Sequence, residues 1–220
     1  MLTSIPVSTY ITYPESKSTE TAIIILPDVI GHEFINAQLI ADQFAANGYW
    51  TVMPDLFQGD PIKLNRPEGF DIMQWLQKGG PEGKGHLPDS VDPIVESTLK
   101  YMKEQGAKKI GAVGYCFGGK YVARFLAKGK GVDVGYTAHP SFVDEEEIKG
   151  MTGPFSVAAA GKLFSVLRTT VGQLLIRPRR NRPDLPRREA TQDRAAAQGD
   201  DHPLPDVPLL RRRARFRRSR

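Results

Sequence analysis

Lys109-Ile110-Gly111-Ala112-Val113-Gly114-Tyr115-Cys116-Phe117-Gly118-Gly119-Lys120-Tyr121-Val122 is the stretch on which the fold turns. Lys109 to Tyr115 is a short apolar run that suits a strand, and Gly118 to Lys128 has the composition of a helix. The junction reads Gly-x-Cys-x-Gly, with Gly114 two residues before Cys116 and Gly118 two residues after it. This is the nucleophile-elbow pattern with sulfur in place of the serine oxygen. A sharp turn there brings backbone segments together, so a Cβ at either glycine would collide. The turn lifts Cys116 to the top of a sheet and sets it at a helix N-terminus, where free N–H groups and the helix dipole favour a thiolate. The N–H of Phe117 can then face a developing oxyanion. The plainer reading of Cys116 is a buried inert thiol, the common state of a lone cysteine. The two flanking glycines between strand and helix favour the elbow.

Working outward, strands and helices alternate. Ala22 to Leu26 is a continuous apolar run, rich in β-branched residues and ended by Pro27, as in a strand buried on both faces. Phe34 to Asn47 follows with helical spacing: Ala37, Ile40, Ala41, Phe44 and Ala45 share one side, Asp42 and Gln43 fall on the other, and Gly48 stops the helix. Tyr49 to Met53 is a strand, 55–67 a loop, and Glu68 to Lys78 a helix. A further helix starts with Asp92 as N-cap and Pro93 at its first position, placing Val91, Val95, Thr98 and Met102 on one face up to Gly106. Val132 to Ala138 and Phe155 to Ala160 are strands, and a weaker strand signal lies within Ser8 to Tyr13. This rhythm implies an α/β fold with a doubly wound, mostly parallel sheet. Ligands of such sheets meet the carboxyl ends of the strands, which selects the loops after Leu26, Met53, Tyr115 and Ala138.

The chain has 220 residues, room for one domain with a substantial core. No apolar run reaches the length of a membrane span, Met1 to Tyr10 has no signal-peptide pattern, and one cysteine excludes an intrachain disulfide framework. A cytoplasmic protein that does not engage a membrane is expected. The net charge of +5 hides a break: residues 1–160 carry a net −5 and residues 161–220 a net +10, with 15 arginines and 1 lysine in the latter. The basic average is therefore no sign that the whole chain binds nucleic acid.

Around the elbow, the N–H of Val29 is a candidate second oxyanion donor. Asp28 has two readings, a charge partner for the thiol or a cap for its own turn. His139, at the end of a strand, lines the mouth or bonds within a turn. His32 touches substrate or is solvated. His86 sits in a Gly/Pro loop and is expected to be exposed. Lys120 and Arg66 are cations that either meet a substrate carboxylate or stay solvated. No H-x-x-x-H or H-E-x-x-H spacing occurs, so neither a metal nor any other cofactor is expected. Trp50 and Trp75 read as packing residues.

Residues 20–160 resemble the dienelactone hydrolase family, cysteine-using members of the α/β-hydrolase fold. The resemblance rests on Leu26-Pro27-Asp28-Val29-Ile30-Gly31, on Ala46-Asn47-Gly48-Tyr49 through Met53-Pro54-Asp55-Leu56-Phe57, and on Gly111 to Gly119, while Ala138-His139-Pro140-Ser141-Phe142 is similar to the fungal branch. It implies a Cys-His-Asp triad that opens lactones or activated carboxylic esters, the small-molecule partners expected, through an acyl-enzyme. Cys116 takes the nucleophile's place, Val29 and Phe117 those of the oxyanion donors, and Asp28 stands where many members carry a glutamate that holds the resting thiol. The triad acid and histidine have no counterpart: Gly161-Lys162-Leu163-Phe164 follows the strand at 155–160, and His202 lies in Asp201-His202-Pro203 without a following glycine. This chain is therefore expected to be an impaired member.

From Gly161 the composition changes. Arg177 to Arg188 has no apolar period, and Arg211 to Arg220 is nearly all charge. A short element fits Leu167 to Ile176, and disorder is expected beyond it. Residues 1–160 thus read as an incomplete α/β-hydrolase domain, and 161–220 as a basic tail foreign to the family. Three origins compete for the tail: an arm that binds nucleic acid or an anionic surface, a targeting element, and an altered reading frame. The switch from lysine to arginine favours the last, and Gly161-Lys162 is encodable as GGTAAG, the usual start of an intron read through. The alternative function is a non-catalytic protein whose arginine-rich tail binds nucleic acid. A sheet cut after Ala160 is expected to expose an apolar edge and helix-packing face, and so to be marginally stable.

Overall fold

A computed structural model describes residues 6–80 and 83–158, together with the backbone of 175–176 and 212–217. In chain order it comprises β1 (Pro6–Thr12), β2 (Thr21–Leu26), α1 (Ile35–Ala46), β3 (Trp50–Pro54), α2 (Ile72–Lys78), α3 (Pro88–Glu104), β4 (Lys109–Tyr115), α4 (Phe117–Phe125), β5 (Val134–Ala138), α5 (Glu145–Gly150), β6 (Phe155–Ala158), β7 (Leu175–Ile176) and β8 (Arg212–Arg217). The strands form one sheet in the order β7-β6-β5-β4-β2-β3-β1-β8. β3, β2, β4, β5, β6 and β7 run parallel. β1 is antiparallel to β3, and β8 antiparallel to β1. The alternation of strands and helices has produced the α/β sheet expected. Beyond Ala160, β7 runs beside β6 within the stretch 167–176 where a short element is expected, whereas β8 runs beside β1 in a stretch where disorder is expected. The other residues of 161–220 lie outside the described residues, as do Ala159 and Ala160 of the expected last strand.

The two faces of the sheet differ. Ala22, Ile24 and Leu26 of β2 point to a large cluster with Trp50 and Val52 of β3, Ile94, Val95 and Leu99 of α3, and Phe117, Tyr121 and Phe125 of α4. Ile23 and Ile25, one residue out of phase, point the other way. There Ala41 of α1 joins Ile25, Met53 and Val113 in a much smaller cluster.

Several helix boundaries depart from the sequence reading. α3 begins at Pro88, with Leu87 as N-cap, so Pro93 lies inside the helix rather than at its start. Either proline satisfies the N1 signal, and the earlier one wins because Val91 is buried on the cluster only if the helix has already begun. The face Val91, Val95, Thr98 and Met102 is fully buried as expected, and Asp92 is freed to bind Arg124. α2 begins at Ile72 rather than Glu68, because Asp71 caps it through the N–H groups of Met73 (2.8 Å) and Gln74 (3.0 Å). In α1, Asp42 is buried rather than solvent-facing, and accepts a 2.8 Å hydrogen bond from the Tyr10 hydroxyl of β1. α1 ends at Ala46, with Gly48 at φ +95°, the left-handed stop that the sequence suggests.

Candidate active site

β4 passes into α4 with one residue between them, and that residue is Cys116. Its φ of 49° and ψ of −111° lie outside every common region for an L-residue, a strain of about 1–3 kcal/mol that the surrounding structure sustains. The glycines explain how. A Cβ on Gly118 would collide with the carbonyl of Leu26 at the end of β2, and one on Gly114 would meet Val122 and the Gly118 carbonyl. Gly119 approaches Thr137 and Pro140 just as closely. Helix α4 therefore begins pressed against the ends of β2 and β5, and no side chain larger than hydrogen fits. Two backbone bonds fix the bend: the Cys116 N–H donates to Ala138 O (3.1 Å), and the Gly119 N–H to Cys116 O (3.1 Å).

Cys116 is half-buried and free, not sealed among aliphatic side chains. Its sulfur lies 3.3 Å from Ser141 Oγ. Ser141, whose place in the sequence assigns it no chemical role, sits in the loop after β5. Its N–H donates to Cys116 O at 3.0 Å. The signal available in the sequence was its place just past the carboxyl end of a parallel strand, one residue after Pro140.

Phe117 is the first residue of α4, so its N–H has no carbonyl one turn behind it to bond. Val29 lies in the loop after β2, which the contact of Gly118 with the Leu26 and Pro27 carbonyls brings beside the elbow. Among the described residues neither N–H donates to another protein group. Asp28 caps its own turn: Oδ1 accepts from the Ile30 N–H at 2.9 Å, and its carbonyl accepts from the Gly31 N–H at 3.0 Å. The thiol's hydrogen-bond partner is Ser141 and not Asp28.

The histidines divide. His139 is exposed at the end of β5, with φ +41°. Its N–H donates to Ala158 O (2.8 Å), and its ring lies 6.5 Å from that of Tyr115. His32 is buried rather than solvated: Nε2 is 3.0 Å from Ser8 Oγ, and Nδ1 3.7 Å from Asp55 Oδ1. His86 is likewise buried, contrary to the exposure expected of a Gly/Pro loop. It packs between Trp75 and Phe57, with ring centroids at 4.3 and 5.3 Å, and pairs with Asp60 Oδ2 at 3.1 Å. Its burial holds its pKa below the ordinary histidine value, against the pull of Asp60. Lys120 is also buried and committed internally, to Asp144 (2.7 Å), Glu147 (2.8 Å) and the Phe142 carbonyl (2.8 Å), so it does not reach for a substrate carboxylate. Arg66 is exposed. Trp50 and Trp75 are core residues.

A groove of about 560 Å³ opens on the other face of the sheet, between α1 and Tyr115. Leu39, Ile40, Phe44 and Tyr49 line it with Gln43 and Asn47. Its walls are apolar, amide and phenolic, with no carboxylate, thiol or imidazole among them. Among the described residues no helix is long and apolar enough to cross a membrane.

Comparison with known proteins agrees with this geometry. The chain is 58% identical over 158 residues to the hydrolase tropI of Talaromyces stipitatus, covering 71% of this chain and 62% of that protein. It is 51% identical over 154 residues to the hydrolase pyvD of Aspergillus violaceofuscus, covering 70% and 60%. The chain thus spans about three-fifths of the length of these curated relatives. Among solved structures, a putative dienelactone hydrolase from Klebsiella pneumoniae superposes with a TM-score of 0.59 at 16% identity, covering 78% of this chain and 80% of that one, a likeness of fold. The family model for dienelactone hydrolases matches residues 7–171. With the elbow in place at Cys116 and the match running through every strand from β1 to β6, this chain belongs to the dienelactone hydrolase family.

Proposed function

We propose that the chain acts on a lactone or activated carboxylic ester through a cysteine acyl-enzyme. The observation that carries the reading is the strained, half-buried Cys116 at the β4–α4 junction, with the N–H of Phe117, which has no partner among the described residues, beside it. The Cys116 thiolate attacks the carbonyl carbon and forms a C–S bond, while the carbonyl π electrons move onto oxygen. The N–H groups of Phe117 and Val29 receive that oxyanion. Collapse of the tetrahedral species expels the alkoxide, which stays tethered to the acyl group when the substrate is a lactone. Water then attacks the thioester, releases the acid and restores the thiol.

Deacylation needs a base to activate that water, and the sulfur's hydrogen-bond partner among the described residues is a serine rather than a histidine. Acylation is therefore the faster half of the cycle. The test is a rapid-mixing assay of the whole chain with p-nitrophenyl acetate. A burst of p-nitrophenolate stoichiometric with protein is expected, followed by slow turnover, and the acetyl group should be found on Cys116 by mass spectrometry. Cys116→Ala abolishes the burst; a burst that persists in that variant refutes the reading.

A further inference from the structure

We infer that Ser141 is a positioning residue for the nucleophile: its hydroxyl holds the Cys116 sulfur at the elbow and donates a hydrogen bond to it once it is ionised. This rests on the reading of Cys116 as the nucleophile and adds the group that controls it. Three observations converge. The hydroxyl oxygen lies 3.3 Å from Sγ, and the same residue's N–H binds the Cys116 carbonyl at 3.0 Å, so Ser141 grips the cysteine at both ends. Among the described residues the hydroxyl meets no other hydrogen-bond partner, which leaves its proton free for the sulfur.

The loop that presents Ser141 is also built for one position. His139 and Phe142 both adopt positive φ, 41° and 59°. Pro140 packs against Gly119 of α4. The His139 N–H is tied to Ala158 of β6 at 2.8 Å, and the Phe142 carbonyl accepts from the buried Lys120 ammonium at 2.8 Å. Strain at two residues, held by ties to two neighbouring elements, is the mark of a segment whose placement matters. Of the two readings of Asp28, thiol partner or turn cap, its Oδ1 follows the second, accepting from the Ile30 N–H of its own turn.

The chemistry follows from the donor inventory. In the neutral state the thiol and hydroxyl exchange a weak hydrogen bond in either sense. On ionisation the thiol proton leaves for solvent or a base, Ser141 keeps its own proton, and its O–H donates to the sulfur anion. A hydrogen bond to the charged form is stronger than one to the neutral thiol, so the contact tightens on the sulfur when it acts as an anion.

Because Cys116 is the only cysteine in the chain, the rate of iodoacetamide alkylation against pH reports on it alone. Ser141→Ala is expected to alter that pH–rate profile and to slow alkylation at neutral pH several-fold. Ser141→Thr, which keeps the hydroxyl, returns the wild-type profile, and Ser141→Val, its near-isostere without one, does not. That second pair decides the matter should Ser141→Ala fold poorly. An unshifted profile in the variants lacking the hydroxyl, with the acetyl-enzyme still formed, overturns the role of Ser141. A shifted profile in a protein that forms no acetyl-enzyme refutes acyl transfer while leaving Ser141 as the thiol's partner.

Discussion

The two faces of the sheet are unequally protected. On one, α3, α4, Trp75 of α2 and Phe57 of the loop after β3 bury β2, β3 and β4 completely. On the other, α1 covers Ile25, Met53 and Val113, but no described helix lies over β5 and β6. Register places Tyr136 opposite Val113 and Val134 opposite Gly111, on this second face. Both are exposed, at 37% and 46%, as are Leu39 and Tyr49 beside the groove. The elbow draws its rigidity from the closed face: Phe117, directly after Cys116, packs its ring 5.1 Å from Phe57 and 5.2 Å from Tyr121. Stability and site geometry are thus invested in one side, and the other is left sticky.

The sharpest way to break this contrast is a cavity on the closed face. Ile94→Ala, at a fully buried position of α3, should cost about 2–5 kcal/mol in urea unfolding. Equal tolerance of Ile94→Ala and Val134→Ala would erase the distinction. A somewhat smaller loss is expected for Lys120→Met, about 2–3 kcal/mol by the same measurement, because it strips Asp144 and the Phe142 carbonyl of a donor while Glu147 keeps Arg124.

A pH series sharpens the contrast further. His86 is held neutral by burial on the closed face, with its pKa below 6.5. The unfolded chain therefore binds this proton first as the pH falls. Stability is retained above pH 6.5 and declines as the pH drops below it. His86→Phe, which suits the ring cluster of Phe57 and Trp75, should flatten that part of the urea-midpoint profile; an unchanged slope would mean the dependence arises elsewhere. The smallest effect on stability belongs to the open face. Tyr136→Ser should change it by no more than about 0.5 kcal/mol, yet reduce concentration-dependent association in sedimentation velocity.

The parts legible in the sequence are those written in local pattern. The β-branched run ending at Leu26, the helical face of Val91, Val95, Thr98 and Met102, and the glycine spacing about Cys116 each encode their geometry within a few residues, because period and steric need are short-range properties. The tertiary structure alone decided what a polar group does once the chain has folded. His86 follows a run of glycines, the mark of an exposed loop, but Gly79, Gly80 and Gly85 let the backbone fold tightly over it and bring it against Trp75. Lys120 and Glu147 are 27 residues apart, and their pairing depends on α4 meeting α5. Ser141 reaches the sulfur because β5 lies parallel to β4, with Ala138 in register with Tyr115. Local sequence thus determined that Cys116 would be raised on a turn. Which hydroxyl, amide and charge would surround it was set by strand order and register, which depend on contacts between segments distant in the chain.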